Sequence, residues 1–180
     1  MRAFMLSVIL PATADEPALI DTLAVLVEGV AEGVLRDCVV VSAQPSELFE
    51  RCADAAGCMM VVENGPREAL IQRGAQLVRS DWSLVLTPGV VPSGEWLTGL
   101  ADWMADRPSA QEAAFIPYQA KRGFWASMRA FRINNQPRWT GRPHPLHGVV
   151  VSTSVLRAGA LPRLVMTALD ARMIDRRVAV

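Results

Sequence analysis

Short apolar runs alternate along this chain with longer stretches in which apolar residues recur at helical spacing. Ala3 to Leu10 is an apolar run that stops at Pro11, the pattern of a buried strand. Asp15-Glu16-Pro17 has the marks of a helix start, with acids at the positive end of the helix dipole and a proline in the first turn. Leu19, Leu23, Leu26, Val27 and Val30 then share one helical face, and Gly33 falls near its end. The cycle repeats. Cys38 to Val41 predicts a second strand, and Ser46 an N-cap for a helix through Ala55. Cys58 to Val62 predicts a third strand, Asn64-Gly65-Pro66 a turn, and Arg67 to Arg79 a helix. Ser83 to Leu86 predicts a fourth strand, stopped by Thr87-Pro88-Gly89. A helix opening at Ser93 or Gly94 carries Trp96, Leu97, Leu100 and Met104.

The second half is less regular. Ala113 to Ile116 predicts a strand, and Lys121 to Asn135 a helix with Phe124, Met128, Phe131 and Arg132 along it. Gln136 to His147 is rich in proline and basic residues and predicts a loop. Gly148 to Val151 predicts a strand, Ser152 to Ala158 a short helix, and Val165 to Arg177 a final helix. Alternating helices and fully apolar strands predict an α/β fold, a mainly parallel sheet covered by helices on both faces. Ligands of such sheets bind beyond the C-terminal ends of the strands. The segments 11–16, 42–46 and 87–95 are therefore the candidate ligand loops.

Composition narrows the picture. With 180 residues, 51% hydrophobic and 20% charged, the chain can bury a core as one domain and does not have the composition of a disordered one. Lys+Arg and Asp+Glu each count 18, and this balance removes the usual electrostatic reason to expect nucleic acid or an anionic membrane as partner. No stretch is long and apolar enough to span a bilayer; residues 18–31 are interrupted by Asp21, Glu28 and Gly29. The N-terminal apolar run is short for a cleaved leader. Cys38, Cys52 and Cys58 are an odd set without a C-x-x-C spacing or an evident fourth zinc ligand, so they read as reduced thiols of a cytoplasmic protein. No nucleophile elbow, P-loop or Gly-x-Gly-x-x-Gly occurs.

Several segments carry a resemblance by their order and spacing. They are Ser7-Val8-Ile9-Leu10-Pro11, Val39-Val40-Val41-Ser42, Gly65 to Ala75, and Ser80 to Leu86 followed by Pro92 and Trp96. Later come Arg138-Trp139-Thr140-Gly141-Arg142-Pro143, His147 to Val151, and Gly159-Ala160-Leu161-Pro162. Together they resemble family 2 glycosyltransferases of the short bacterial type. The resemblance implies the GT-A fold, a three-layer α/β sandwich with a mainly parallel central sheet. It implies one domain, with residues 1–106 as a nucleotide-binding half and 107–180 as an acceptor-side half, and transfer of a sugar from a nucleotide-sugar to an acceptor. By position, nucleotide-sugar contacts fall to Pro11, Thr13, Glu16, Ser42, Arg67, Arg73, Thr87 and Gly89. Acceptor-side contacts fall to Arg138, Trp139, His144 and His147.

The acids of that family are missing. Ser42 and Ala43 stand where aspartates contact the base, Thr87-Pro88-Gly89 where an Asp-x-Asp-type motif binds metal, and Thr167 and Ala168 where a Glu-Asp pair supplies the base. Sugar transfer needs stabilisation of the leaving diphosphate and a base for the acceptor hydroxyl. A hard cation gains little from threonine, proline and glycine, so neither a divalent cofactor nor a metal site is expected. Arg67 and Arg73 would then face the diphosphate, unless they are ordinary surface arginines. Asp170 and His147 are the remaining candidates for the base, against readings as an exposed helix carboxylate and a loop histidine. Trp125 and Trp139 could stack on a sugar or base, or pack in a core or interface. Two readings stay open: a divergent, metal-independent glycosyltransferase, and a non-catalytic binding or scaffold protein. The tryptophans and apolar composition are compatible with a homodimer.

Overall fold

The computed structural model describes residues 5–12, 18–106, 108–120, 122–140, 142–159 and 164–177. Its elements follow one another as β1 (Leu6–Ala12), α1 (Leu19–Ala31), β2 (Leu35–Ser42), α2 (Glu47–Ala55), β3 (Met59–Val62), α3 (Arg67–Leu77), β4 (Trp82–Val85), β5 (Val90–Ser93), α4 (Trp96–Ala105), β6 (Glu112–Ile116), α5 (Phe124–Thr140), β7 (Gly148–Ser152), α6 (Thr153–Arg157), β8 (Val165–Ala168) and β9 (Arg172–Asp175). A seven-stranded sheet runs in the order β3-β2-β1-β4-β7-β6-β8, and β5 and β9 form a separate antiparallel pair. Only β7 opposes the common direction in the large sheet, pairing antiparallel with both β4 and β6.

The strand-to-helix alternation produces three layers because β1 is buried along its whole length. Side chains alternate between faces. Leu6, Val8 and Leu10 join a core with Leu23 and Leu26 of α1, Phe49 of α2 and Leu100 of α4. Ile9 joins a second core with Leu70 of α3 and Leu156 of α6. Gly74 lets α3 approach β1, since a Cβ there would lie 2.6 Å from Ile9 Cγ2. Arg157 locks α6 to the end of α3, donating from Nε to Ala75 O (2.8 Å) and from Nη2 to Val78 O (3.0 Å). Those carbonyls belong to the last turn of α3, which has no intrahelical donors left. Ser46 caps α2 as expected, its Oγ accepting from Phe49 N–H.

Two expectations fail. Val165 to Arg177 is not a helix but β8, a tight turn and β9. Leu169, Ala171 and Met173 are buried at alternate positions, the period of a strand. β8 finds an open edge beside β6, and β9 pairs with Val90–Ser93, a segment read as loop and helix start. Gln136 to His147 is not all loop either, because α5 continues to Thr140. Pro137 is accommodated there by burial on the same face as Ala130 and Ile133, which offsets the missing N–H.

Candidate functional site

The chain leaves β1 for β2 and β3 on one side and reaches β4 on the other, so the sheet's topological switch lies between β1 and β4. A crevice opens beyond the C-terminal ends of strands at such a point. Beside it lies a cleft of about 280 Å³ whose walls include Arg67 and Ile71 of α3, Val85 of β4, Val149 of β7, and Arg142 and His144 of the loop before β7. Arg67 occupies the first turn of α3, which follows Asn64-Gly65-Pro66 directly. Its Nη1 donates to Pro11 O at the end of β1 (3.4 Å), so the guanidinium bridges the strand end and the cleft. Arg142 lines the same cleft, which therefore offers two guanidiniums that bind phosphate oxygens well, against one carboxylate from Glu68.

Two histidines organise the loop that closes this cleft. His147 is buried, with Nδ1 accepting from His144 N–H (3.3 Å) and Nε2 bonded to Asn134 Oδ1 (3.1 Å). Asn134 Oδ1 also accepts from Tyr118 N–H, and its Nδ2 donates to Tyr118 O, so Oδ1 is the acceptor and His147 Nε2 carries the proton. Burial first, and His144 second, depress the imidazole's pKa to about 4. His147 is therefore a neutral pin between α5, β6 and the loop, with both nitrogens engaged. His144 accepts from Leu146 N–H through Nδ1, which puts its own proton on Nε2. Burial, then Arg129 and Arg67, push its pKa down. No partner for that Nε2 exists among the described residues, and His144 also borders a second cleft, of about 620 Å³, along α5. Trp125, Arg129, Arg132 and Trp139 line this second cleft; Gln136 and His144 are shared by both.

The segment expected to bear the metal motif is occupied by structural bonds. Thr87, Pro88 and Gly89 are all buried. Thr87 Oγ1 donates to Pro145 O (2.6 Å). Gly89 adopts a φ of +80°, donates its N–H to Thr22 Oγ1 (2.8 Å) and accepts from Arg176 N–H (2.8 Å). A Cβ at Gly89 would meet Ala18 Cβ at 2.8 Å and collide with Arg177 Cγ.

The remaining expected residues scatter. Ser42 ends β2, buried, with its Oγ donating to Gln44 O. Arg73 turns away from the cleft towards Glu63 (3.7 Å) and Gln76 (3.3 Å). Arg138 and Trp139 are exposed on α5, and only Trp139 borders a cleft. Asp170 is exposed in the turn between β8 and β9, with its backbone against Gly99 of α4, and lines neither cleft. Thr13 and Glu16 lie outside the described residues. Asn134 was not anticipated. The available signal was a pair of amides, Asn134-Asn135, interrupting an apolar and basic helix, but its partner Tyr118 is visible only in three dimensions.

No family model matches the chain, and no curated protein matches it. Solved structures do. Glucosyl-3-phosphoglycerate synthase from Mycobacterium tuberculosis, in complex with Mn2+, UDP and glucosyl-3-phosphoglycerate, aligns with a TM-score of 0.64 at 14% identity over 99% of this chain and 74% of that one. The same enzyme with Mn2+ and UDP-glucose aligns at 0.65 and 14%, over 99% and 73%. Mannosyltransferase PcManGT from Pyrobaculum calidifontis, with GDP-Man and Mn2+, aligns at 0.62 and 13%, over 95% and 56%. The fold is that of GT-A glycosyltransferases, as the order of motifs implied.

These neighbours also correct an expectation. They are complexes with both a nucleotide and Mn2+, or in another case Mg2+, so the inference that no divalent cofactor belongs to this kind of protein does not stand. It had extrapolated from three residues to a whole site. The residues present do not themselves fit the ion: Thr87's hydroxyl is bonded to Pro145, and no group of three or more His, Cys, Asp or Glu that could hold a metal occurs among the described residues.

Proposed function

We propose that this protein binds a nucleoside-diphosphate sugar at the C-terminal ends of β1, β2 and β4 and presents it to an acceptor in the adjoining cleft along α5, as a glycosyltransferase-like protein. The observation that carries the reading is the position of Arg67, on the first turn of α3, bonded to the end of β1 and lining, with Arg142, a cleft beside the topological switch. Arg67 and Arg142 would hold the diphosphate, and the Nε2–H of His144, between the two clefts, would donate to the donor or acceptor. Arg129 and Arg132 favour an acceptor bearing a carboxylate or phosphate. Residues 1–106, joined by Arg142 from the later half, would serve the donor, and the rest of 107–180 the acceptor. No step is assigned to a metal.

The test is calorimetric titration with UDP, UDP-glucose and GDP-Man, each with and without Mn2+. Saturable binding of one of these nucleotides, weakened about tenfold or more by Arg67→Ala, is the expected result. Absence of binding in both the Mn2+ and the metal-free arms overturns the proposal.

A second reading, a non-catalytic binder, is favoured by one specific observation. Thr87, Pro88 and Gly89 are buried and bonded, and Thr167 and Ala168 offer no base. Nucleotide binding without UDP release in the presence of phosphoglyceric acid and Mn2+ would support this second reading; release above background would exclude it.

A further inference from the structure

Helix α5 has an apolar face that the fold leaves uncovered. Its buried side is Ala130, Ile133 and Pro137. On the opposite side Phe124, Met128, Phe131 and Trp139 recur at helical spacing, with Trp125 alongside. Phe124 is 70% exposed, Trp125 81%, Phe131 60% and Trp139 62%. A helix resting on a globular core ordinarily turns polar residues outward. This one turns aromatic residues outward, and their contiguity distinguishes them from scattered surface hydrophobics.

The charge along α5 and the segments that flank it in sequence is of one sign. Arg129, Arg132 and Arg138 flank it on α5, Arg122 precedes the helix and Arg142 follows it, all exposed. The sequence has no aspartate or glutamate between Glu112 and Asp170. The zero net charge of the whole chain therefore conceals a segregation. The balanced composition does not exclude an anionic membrane, because charges act over about a Debye length of 8–10 Å and not over a molecular average.

We infer that α5 docks this protein onto an anionic lipid bilayer, lying in the plane of the interface. Phe124, Trp125, Phe131 and Trp139 would enter the boundary between headgroups and acyl chains, and Arg122 and Arg138, which line neither cleft, would reach lipid phosphates. The helix lies on the surface; no helix among the described residues is long and apolar enough to cross a membrane. A second copy of the chain fits this face poorly. A two-fold contact would set the same arginines against one another, with no acid on α5 itself to pair them. Bilayer phosphates supply the missing anions and the acyl boundary supplies the apolar cover.

The test uses the full chain with large vesicles of phosphatidylcholine, with and without phosphatidylglycerol, at low and high salt. Sedimentation with the anionic vesicles, weakened by salt and accompanied by a blue shift of tryptophan emission, is the expected result. Phe124→Ser/Phe131→Ser should weaken binding about tenfold or more. Arg122→Gln/Arg138→Gln should weaken it on the order of 25-fold, about fivefold per charge. Far-ultraviolet circular dichroism confirms that each variant is folded. Phe124 and Phe131 border neither cleft, so the first variant should keep any nucleotide affinity of the wild type, and vesicle binding requires no nucleotide. Equal binding of wild type and both variants overturns the inference. So does a dimer in solution that Phe124→Ser/Phe131→Ser dissociates while vesicles are not bound, or retention by single-stranded oligonucleotides but not by vesicles.

Discussion

Acidification tests the pinning role of His147 directly. In the folded protein burial first, and the neighbouring His144 second, disfavour the charged imidazole, whose Nδ1 already accepts from His144 N–H. The group titrates near 4 in place of an ordinary 6.5. Below 6.5 the unfolded chain takes up this proton while the folded chain does not, and acid therefore favours unfolding. The stabilisation is complete above 6.5, declines as the pH falls, and is lost by about 4. At about 1.4 kcal/mol per pH unit, the full interval corresponds to roughly 3 kcal/mol, an upper value because the loop can relax. Urea denaturation followed by tryptophan fluorescence at stepped pH measures it. His147→Gln keeps a donor towards Asn134 but has no titrating group. The expected outcome is a wild-type curve that falls more steeply than the variant's between 6.5 and 4, the gap closing towards low pH. Parallel curves would refute the tautomer and the role assigned to His147.

Other outcomes follow from the packing and the thiols. Gly74→Ala should destabilise by about 1–2 kcal/mol despite the gain in helix propensity, because the new methyl must displace Ile9; denaturant midpoints show the sign. Arg157→Ala should cost about 2 kcal/mol and lower the melting midpoint by roughly 4–8 °C, since the last turn of α3 loses both donors; an unchanged midpoint contradicts that lock. Gly89→Ala should reduce stability through its positive φ and the contact with Ala18, and would do so in a chain stripped of nucleotide as well. Hydrogen bonding between the two thiols lowers the pKa of Cys58, against an opposing effect of burial, and raises that of Cys38. Iodoacetamide should therefore modify Cys58 first, and peptide mass spectrometry showing Cys38 ahead would count against it.

The parts of the fold that could be read from the sequence are those whose burial is local in origin. Val39-Val40-Val41 is covered on both faces and reads as an unbroken apolar run, and Ser46 caps its helix through a bond three residues on. β5 and β9 could not be read this way. Each is four residues long, β5 contains Pro92, and each is a strand only because the other lies beside it. The site divides similarly. Arg67 was legible from the turn before its helix, whereas its bond to Pro11, the bond of Thr87 to Pro145 and the hold of Asn134 on His147 depend on topology. Counting charges over the whole chain hid the basic surface of α5, although the missing acids were in plain sight between Glu112 and Asp170.

Of the bonds described for the Thr87–Gly89 segment, that to Thr22 is upstream, and those to Pro145 and Arg176 come from far downstream. Vectorial synthesis gives that distance a temporal meaning. A nascent chain can assemble β1 to β4 with their helices while this loop has only its anchor to Thr22, and the arrival of β9 beside β5 supplies the last of the others. The early half of the molecule therefore waits on its late half to acquire a finished mouth, an interval in which a chaperone or a nucleotide could engage the open edge first.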